Sequence, residues 1–238
     1  MLRQAKEAGY EGVELMQHPR VLGEPERLFD LLQEHRLALV GLAGGSLEER
    51  IEYADRMRTL TEQDATTANA GWGLQRYPDT LPLAFPYVRL DEWREDRHLK
   101  YLTHTEAMLA LYPHMFKPVQ TADEANRVLD AHPELRLVPD TAHLVIAGDD
   151  PVRVISQNLP RLAAVHLKDW TAEFGRSYQF FARGFVGLGE GDVPVKEVVH
   201  MLSRKNYKGW LLVEQDTATD PFASARKSRE WLRKTTGA

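Results

Sequence analysis

Three short apolar runs of this chain end in polar residues, and they decide which fold the sequence predicts. They are VPDTAHL (138–144), AVHLKDW (164–170) and WLLVEQD (210–216). Asp140, His166 and Glu214 stand at or next to the point in each stretch where the apolar run ends. Barrels of parallel strands place single Asp, His and Glu side chains at successive strand ends to hold one divalent metal at the catalytic mouth. The runs therefore predict a metal site on such a barrel.

The rest of the chain alternates short β-rich runs with longer amphipathic segments, which is typical of repeated strand and helix units with parallel strands. We predict strands at 12–16, 38–42, 65–70, 108–112, 135–139, 163–167 and 210–213. We predict helices at 2–8, 24–35, 47–61, 122–131, 150–158, 195–205 and 221–233. Because the chain enters a helix directly at Met1, the pattern indicates an α/β fold, a (βα)8 TIM barrel that lacks its first strand or has it truncated. One domain over residues 1–238 is expected.

Composition limits the function classes. The chain has 238 residues and a formal net charge of -5, with acidic and basic residues mixed, which argues against a nucleic-acid surface. It contains no cysteine, so any metal must be bound by imidazole and carboxylate groups. No run approaches the roughly 18 apolar residues of a membrane span, and the amino terminus does not resemble a signal peptide. We expect a soluble cytoplasmic protein with no membrane partner.

Five motifs carry a family resemblance that extends over nearly the whole chain. They are AGYEGVEL (8–15), VPDTAHL, AVHLKDW, GLGEGDVP (187–194) and WLLVEQD. Their order and spacing resemble the xylose isomerase-like TIM barrel superfamily, which includes sugar phosphate isomerases and epimerases, inosose dehydratases and the endonuclease IV branch. The resemblance implies one divalent ion (Mn, Mg, Co or Zn) at the top of the barrel. The implied ligands are Asp140, His166 and Glu214, with Glu214 also serving as the catalytic base.

The fifth strand departs from the family pattern. The resemblance implies a fourth ligand there, a glutamate near Ala110 or Tyr112, but residues 108–115 read MLALYPHM and contain no acid. His114 is the nearest group able to coordinate, and it is interpreted either as the fourth metal ligand or as a substrate contact; an inert role is the third reading. A site with three protein ligands and water also stays open.

The remaining candidates are assigned from their places near strand ends and in two long loops. His143 and Lys168 are candidate catalytic groups that protonate or hold oxygens, although Lys168 is equally well explained as an ion-pair partner of Asp169. Glu14 matches a polar position of the early motif, with a salt bridge at the barrel mouth as the rival reading. The candidate substrate-binding residues are Glu14, Trp72, Tyr112 and Arg183. Trp72 lies in the loop 71–93 and Arg183 in the loop 171–191, which are candidate walls of a substrate pocket.

The leading hypothesis is a metal-dependent sugar isomerase or epimerase that acts on a small keto-sugar, ketose or inosose through the metal-bound enediolate that the resemblance implies. Because epimerases of this kind use two carboxylates, loss of the strand-five acid leaves open an inosose dehydratase-like lyase, which needs one base. A non-catalytic barrel that serves as a binding module or complex subunit is the alternative of another class. The glycines of GLGEGD match no nucleotide fingerprint, so no nucleotide cofactor is predicted. The aromatic residues of the loop 71–93 are compatible with a homodimer.

Overall fold

The computed structural model describes residues 1–66, 86–175 and 184–237, and these residues form alternating strands and helices. The strands are β1 (Gly12–Leu15), β2 (Ala38–Leu42), β3 (Tyr87–Leu90), β4 (Met108–Leu111), β5 (Arg136–Leu137), β6 (Ala164–Leu167), β7 (Asp169–Trp170), β8 (Phe185–Val186) and β9 (Trp210–Val213). The helices are α1 (Leu2–Glu7), α2 (Pro25–His35), α3 (Leu47–Thr66), α4 (Glu95–Leu102), α5 (Ala122–Ala131), α6 (Thr141–Ile146), α7 (Pro151–Gln157), α8 (Ala172–Gly175), α9 (Val195–Arg204) and α10 (Pro221–Thr236). Short 3-10 turns occur at Pro19–Leu22 and Leu159–Arg161.

The strands form a parallel α/β barrel wall. Strands β1 to β5 pair in chain order, each parallel to the next, and β6 pairs with β9 in parallel. Isolated parallel bridges from Leu137 to Leu162 and from Asp140 to His166 connect the two sheets. The wall therefore runs from β1 through β6 to β9, which confirms the predicted barrel fold. Within the described ranges, no strand pairs with the outer edge of β1 or of β9.

The strand predicted at 65–70 is not the wall strand that lies between β2 and β4 in the structure. The predicted strand 65–70 is wrong at its start, because α3 continues through Ala65 and Thr66, and its other residues lie outside the described ranges. The wall strand is β3, inside the segment that was assigned to a long loop. All four residues of β3 are buried, so the strand lacks the alternation of apolar and polar residues that marks a half-exposed strand.

Apolar packing divides into an inner and an outer layer. The inner cluster fills the barrel and consists of Val40, Tyr87, Ala110, Tyr112, Val138, Ala163, Ala164 and Leu212. The larger outer cluster lies between strands and helices, with Leu28, Leu111 and Leu137 among its most buried members. Helix starts are fixed locally: Thr121 caps α5 in a capping box with Glu124. These layers hold the carboxyl ends of the strands together at one face.

A cavity of about 270 Å³ lies between β1 and β9. Its lining includes Tyr10 and Trp210, and it extends to the polar side chains of Glu14, His166 and Glu214. The cavity therefore borders the buried polar groups of the barrel interior on this side.

Candidate active site

Asp140, His166 and Glu214 meet at the carboxyl ends of three wall strands. One ligand atom from each residue lies within 4.8 Å of the others. Asp140 and His166 are almost fully buried, and the Glu214 side chain is 13% exposed. Two carboxylates and an imidazole are donors that suit Mn, Zn or related divalent ions. The donor set therefore fits a divalent metal, and the structure brings together the three residues that the sequence analysis proposed as ligands.

Asp140 divides its two oxygens between structure and site. Oδ1 accepts hydrogen bonds from the backbone N–H groups of Ala142 (2.8 Å) and His143 (3.0 Å), which caps α6. Oδ2 accepts a bond from the hydroxyl of Tyr112 at 2.7 Å. The helix cap, which was the rival interpretation for an Asp at a strand end, therefore coexists with the cluster and orients the second oxygen toward it.

His166 lies between two carboxylates. Its Nε2 is 2.7 Å from Glu14 Oε2, and its Nδ1 contacts Glu214 Oε2. Burial alone would lower the pKa of His166, but the two carboxylates outweigh it and raise the pKa to about 10. The imidazole is thus a cation in the metal-free protein, and a metal must displace a proton to bind it.

Glu14 is held by residues of β3 that the sequence analysis missed. The hydroxyl of Tyr87 donates to Glu14 Oε2 at 2.6 Å, and Arg89 Nη1 is 3.3 Å from Oε1. Burial opposes ionisation of Glu14, but His166 and Arg89 keep its pKa below the usual value. The short run YVRL after Pro86 was the signal that could have identified these residues. Glu14 therefore belongs to the cluster and makes the salt bridge that was its rival interpretation.

Tyr112 contacts two of the three ligand residues. Its hydroxyl donates to Asp140 Oδ2 at 2.7 Å and lies 3.2 Å from Glu214 Oε2. The Arg89 guanidinium carbon is 3.9 Å from the centre of the Tyr112 ring. Burial raises the pKa of Tyr112 well above its usual value, and the two carboxylates act in the same direction. Tyr112 thus stands where the resemblance implied an acid.

Lys168 is a buried cation beside Glu214. Its Nζ is 2.9 Å from Glu214 Oε1, 2.6 Å from Asp216 Oδ2 and 4.0 Å from Asp140 Oδ2. Burial would lower the pKa of Lys168, but these carboxylates raise it above the usual value. The ion pair with Asp169 that was the rival interpretation is not what the structure shows, because the Asp169 carboxylate faces backbone N–H groups. Lys168 can therefore donate a proton or stabilise a developing negative charge.

The rings of His143 and His114 contact each other in a tilted arrangement next to this cluster. Their ring centres are 3.9 Å apart, and His143 Nε2 is 3.7 Å from Asp140 Oδ2. Burial lowers the pKa of His143 to about 3, so the ring is neutral, and neither ring nitrogen has a hydrogen-bond partner among the described residues. His114 Nδ1 lies 2.7 Å from the carbonyl oxygen of Met115. His114 is not part of the group formed by Asp140, His166 and Glu214, whose side-chain atoms lie close enough together to hold an ion.

Asp169 organises the glycine loop that follows β8. Its Oδ1 accepts the backbone N–H groups of Trp170 (2.9 Å) and Val193 (3.2 Å), and its Oδ2 accepts those of Gly189 (2.9 Å) and Gly191 (3.0 Å). A Cβ added at Gly191 would lie 2.4 Å from Asp169 Oδ1. The loop is therefore a folded turn that one carboxylate holds together before α9 begins.

Gly41 in β2 makes room for Tyr87. A Cβ at this position would lie 2.6 Å from Cζ of the Tyr87 ring. The ring occupies that space and carries its hydroxyl to Glu14.

Two other predicted substrate-binding residues, Trp72 and Arg183, lie outside the described residues.

Comparison with known proteins agrees with this geometry. The family model described as xylose isomerase-like TIM barrel matches residues 2–235. The chain is 30% identical over 213 residues to the inosose dehydratase of Bacillus thuringiensis (strain Al Hakam), an alignment that covers 81% of this chain and 71% of that enzyme. This chain therefore belongs to the xylose isomerase-like TIM barrel family.

Solved structures share the fold at low identity. The D-allulose 3-epimerase from Methylomonas sp. in complex with D-allulose has a TM-score of 0.61 at 18% identity, with coverage of 98% of this chain and 89% of that chain. A xylose isomerase-like TIM barrel protein from Mycobacterium smegmatis in complex with magnesium has a TM-score of 0.62 at 14% identity, with coverage of 99% of this chain and 87% of that chain.

No helix among the described residues is long and apolar enough to cross a membrane.

Proposed function

We propose that this chain is a divalent-metal-dependent lyase that removes water from a small keto-polyol of the inosose class. The observation that carries the proposal is the contact between Lys168 Nζ and Glu214 Oε1 at 2.9 Å, beside the three-residue ligand group. The contact places a buried acid next to a carboxylate base. The inosose dehydratase relative supports the choice of substrate class.

The roles of the side chains follow from their charges. Asp140, His166 and Glu214 would hold the ion, which when bound supplies a Lewis acid that polarises the substrate carbonyl. The pKa of Glu214 is held well below its usual value, because His166 and Lys168 outweigh the effect of burial, so its carboxylate is free of a proton. Glu214 would accept the proton from the carbon next to the carbonyl.

Elimination also needs an acid. As the carbon–hydrogen electron pair forms the new double bond, the β-hydroxyl leaves and takes a proton from the Lys168 ammonium, so that water is released. The nearby Asp216 carboxylate, 2.6 Å from Nζ, stabilises the ammonium before the step. One proton acceptor and one proton donor suffice for this reaction. A second carboxylate is not needed, and the strand-five position holds Tyr112 in place of one.

A second candidate is an isomerase or epimerase, and Glu14 is the observation that favours it. Glu14 and Glu214 approach opposite nitrogens of His166, and the pKa of each carboxyl is held below its usual value. An epimerase needs two carboxylates that exchange a proton on opposite faces of the substrate. Proton transfer by Glu14 would require the His166 contact to break first.

Nuclear magnetic resonance in deuterated solvent separates the two reactions over a panel of inososes and keto-sugars. A new alkene or diketone signal is expected for the lyase. Deuterium incorporation without loss of water would instead establish isomerase or epimerase activity and refute the lyase. Lys168→Met should abolish the alkene signal, because the leaving hydroxyl loses its proton donor.

Metal analysis tests the ligand set separately. We expect about one divalent ion per chain in the wild-type protein and its loss in both Asp140→Ala and Glu214→Ala. Glu190→Gln is the matched control, since Glu190 is exposed and accepts the backbone N–H of Gly187. A wild-type chain that binds no ion under any condition would point to a non-catalytic binding module.

A further inference from the structure

We propose that the phenol oxygen of Tyr112 is the fourth protein ligand of the metal. The inference rests on the proposed metal-dependent function and assigns a ligand at the strand end that carries no acid. Tyr112 follows β4 directly, in the barrel position between β3 and β5. Its side chain is fully buried and points into the ligand group.

One of the two distances from Tyr112 to the carboxylates falls in the range for ligands of one ion, and the other is slightly shorter. Oxygen and nitrogen ligands lie about 2.0–2.2 Å from such a metal, so neighbouring ligand atoms are separated by about 2.8–3.6 Å in tetrahedral or octahedral geometry. Tyr112 Oη is 2.7 Å from Asp140 Oδ2 and 3.2 Å from Glu214 Oε2. An ion bound to both carboxylates would therefore lie within coordinating distance of the phenol oxygen after small shifts.

The charges around Tyr112 also suit a phenolate ligand. The Arg89 guanidinium lies over the ring at 3.9 Å, and Lys168 faces the same carboxylates from the other side. Asp91 and Asp216 pair with the same two cations. A bound divalent ion would therefore supply the additional positive charge that favours a phenolate over a neutral phenol.

The rival ligand on the same segment is His114, and its contacts are directed elsewhere. Its Nδ1 lies 2.7 Å from the carbonyl oxygen of Met115, and its ring packs against His143. His114 is part of the loop after β4 and lies outside the three-residue ligand group. Tyr112, in contrast, contacts two members of that group directly.

Iron(III) is the probe that tests the assignment, because a tyrosinate bound to iron(III) gives a visible charge-transfer band that a nearby unbound tyrosine does not give. We expect the band in the iron-loaded wild-type protein and its absence in Tyr112→Phe. Tyr87→Phe is the matched control, because the Tyr87 hydroxyl is also buried in the cluster but donates to Glu14; it should keep the band.

Each outcome decides the question. A band that persists in Tyr112→Phe, or bound iron without a band in the wild-type protein, would overturn the assignment and leave the metal-dependent function standing. Failure of the wild-type protein to bind zinc or iron would overturn both. If Tyr112→Phe does not fold, resonance Raman spectra of wild-type protein grown on ring-deuterated tyrosine still decide: tyrosine-ring modes that shift under the charge-transfer band support ligation, and their absence refutes it.

Discussion

The substitution Asp169→Asn should destabilise the chain strongly, although it removes no volume. The Asp169 carboxylate accepts four backbone N–H groups, two on each oxygen. An amide replaces one oxygen with an N–H donor, so in either orientation two backbone donors lose their acceptor. Hydrogen bonds to a charged group contribute about 1.5–3 kcal/mol each. Relief of the buried charge offsets part of the loss, and we expect a decrease of about 3 kcal/mol in the free energy of unfolding.

Urea unfolding followed by circular dichroism measures the effect on metal-free protein. For a chain of this size, about 3 kcal/mol corresponds to a decrease in Tm of roughly 6–12 °C. Asp192→Asn is the matched control, because Asp192 is exposed and accepts one backbone bond, from Ala172 at 2.9 Å; we expect it to cost less than about 1 kcal/mol. The reasoning is refuted if the two variants differ by less than about 1 kcal/mol, since the four bonds would then contribute no more than one.

Three further outcomes are expected. The folded-state pKa of His166 is raised to about 10, so protonation of His166 stabilises the metal-free protein fully below about pH 6.5, and this stabilisation is lost as the pH rises toward 10. In urea titrations at several pH values, Glu14→Gln should lose this stabilisation at lower pH than the wild-type protein. An unchanged pH profile would contradict the role of Glu14 in raising the pKa of His166. Thr121→Ala removes the capping box of α5 and should cost about 1 kcal/mol in chemical unfolding, whereas Thr103→Ala, at an exposed helix end, should cost less than half of that. Leu111→Ala empties a fully buried core position, so calorimetry should show a loss of about 2–5 kcal/mol, and a loss below about 1 kcal/mol would show that the core closes around it.

The grouping of the candidate metal ligands could be predicted from sequence because each stands at or next to the end of an apolar run. Asp140 and Glu214 follow β5 and β9, and His166 is the third of the four residues of β6. The parallel barrel brings these strand ends together whatever the lengths of the connections. Helix α5 was predicted with its observed bounds because its Thr and Glu caps are local. Information that lies within a few neighbouring residues was therefore sufficient for these elements.

The contacts of β3 could not be predicted in the same way. Arg89 places a charge inside a four-residue strand, and besides the nearby Asp91 its partners include Glu14, which is 75 residues away in the chain. The predicted strand 65–70 is wrong at its start because α3 extends through Thr66, where the Ala and Thr residues had suggested a strand. Which side chain takes the place of the strand-five acid likewise depends on contacts between Tyr112 and two distant strands.

Gly41 shows that a residue can be required at a site because it has no side chain. Gly41 offers no side chain and no polar contact to the cluster, yet the ring that orients Glu14 occupies the place of its missing methyl group. In a saturation-mutagenesis map of this chain, position 41 should therefore tolerate as few replacements as the charged residues of the cluster. A list of reactive side chains would omit Gly41. A design that moves the cluster to another barrel must therefore also keep a glycine at the equivalent position of the neighbouring strand.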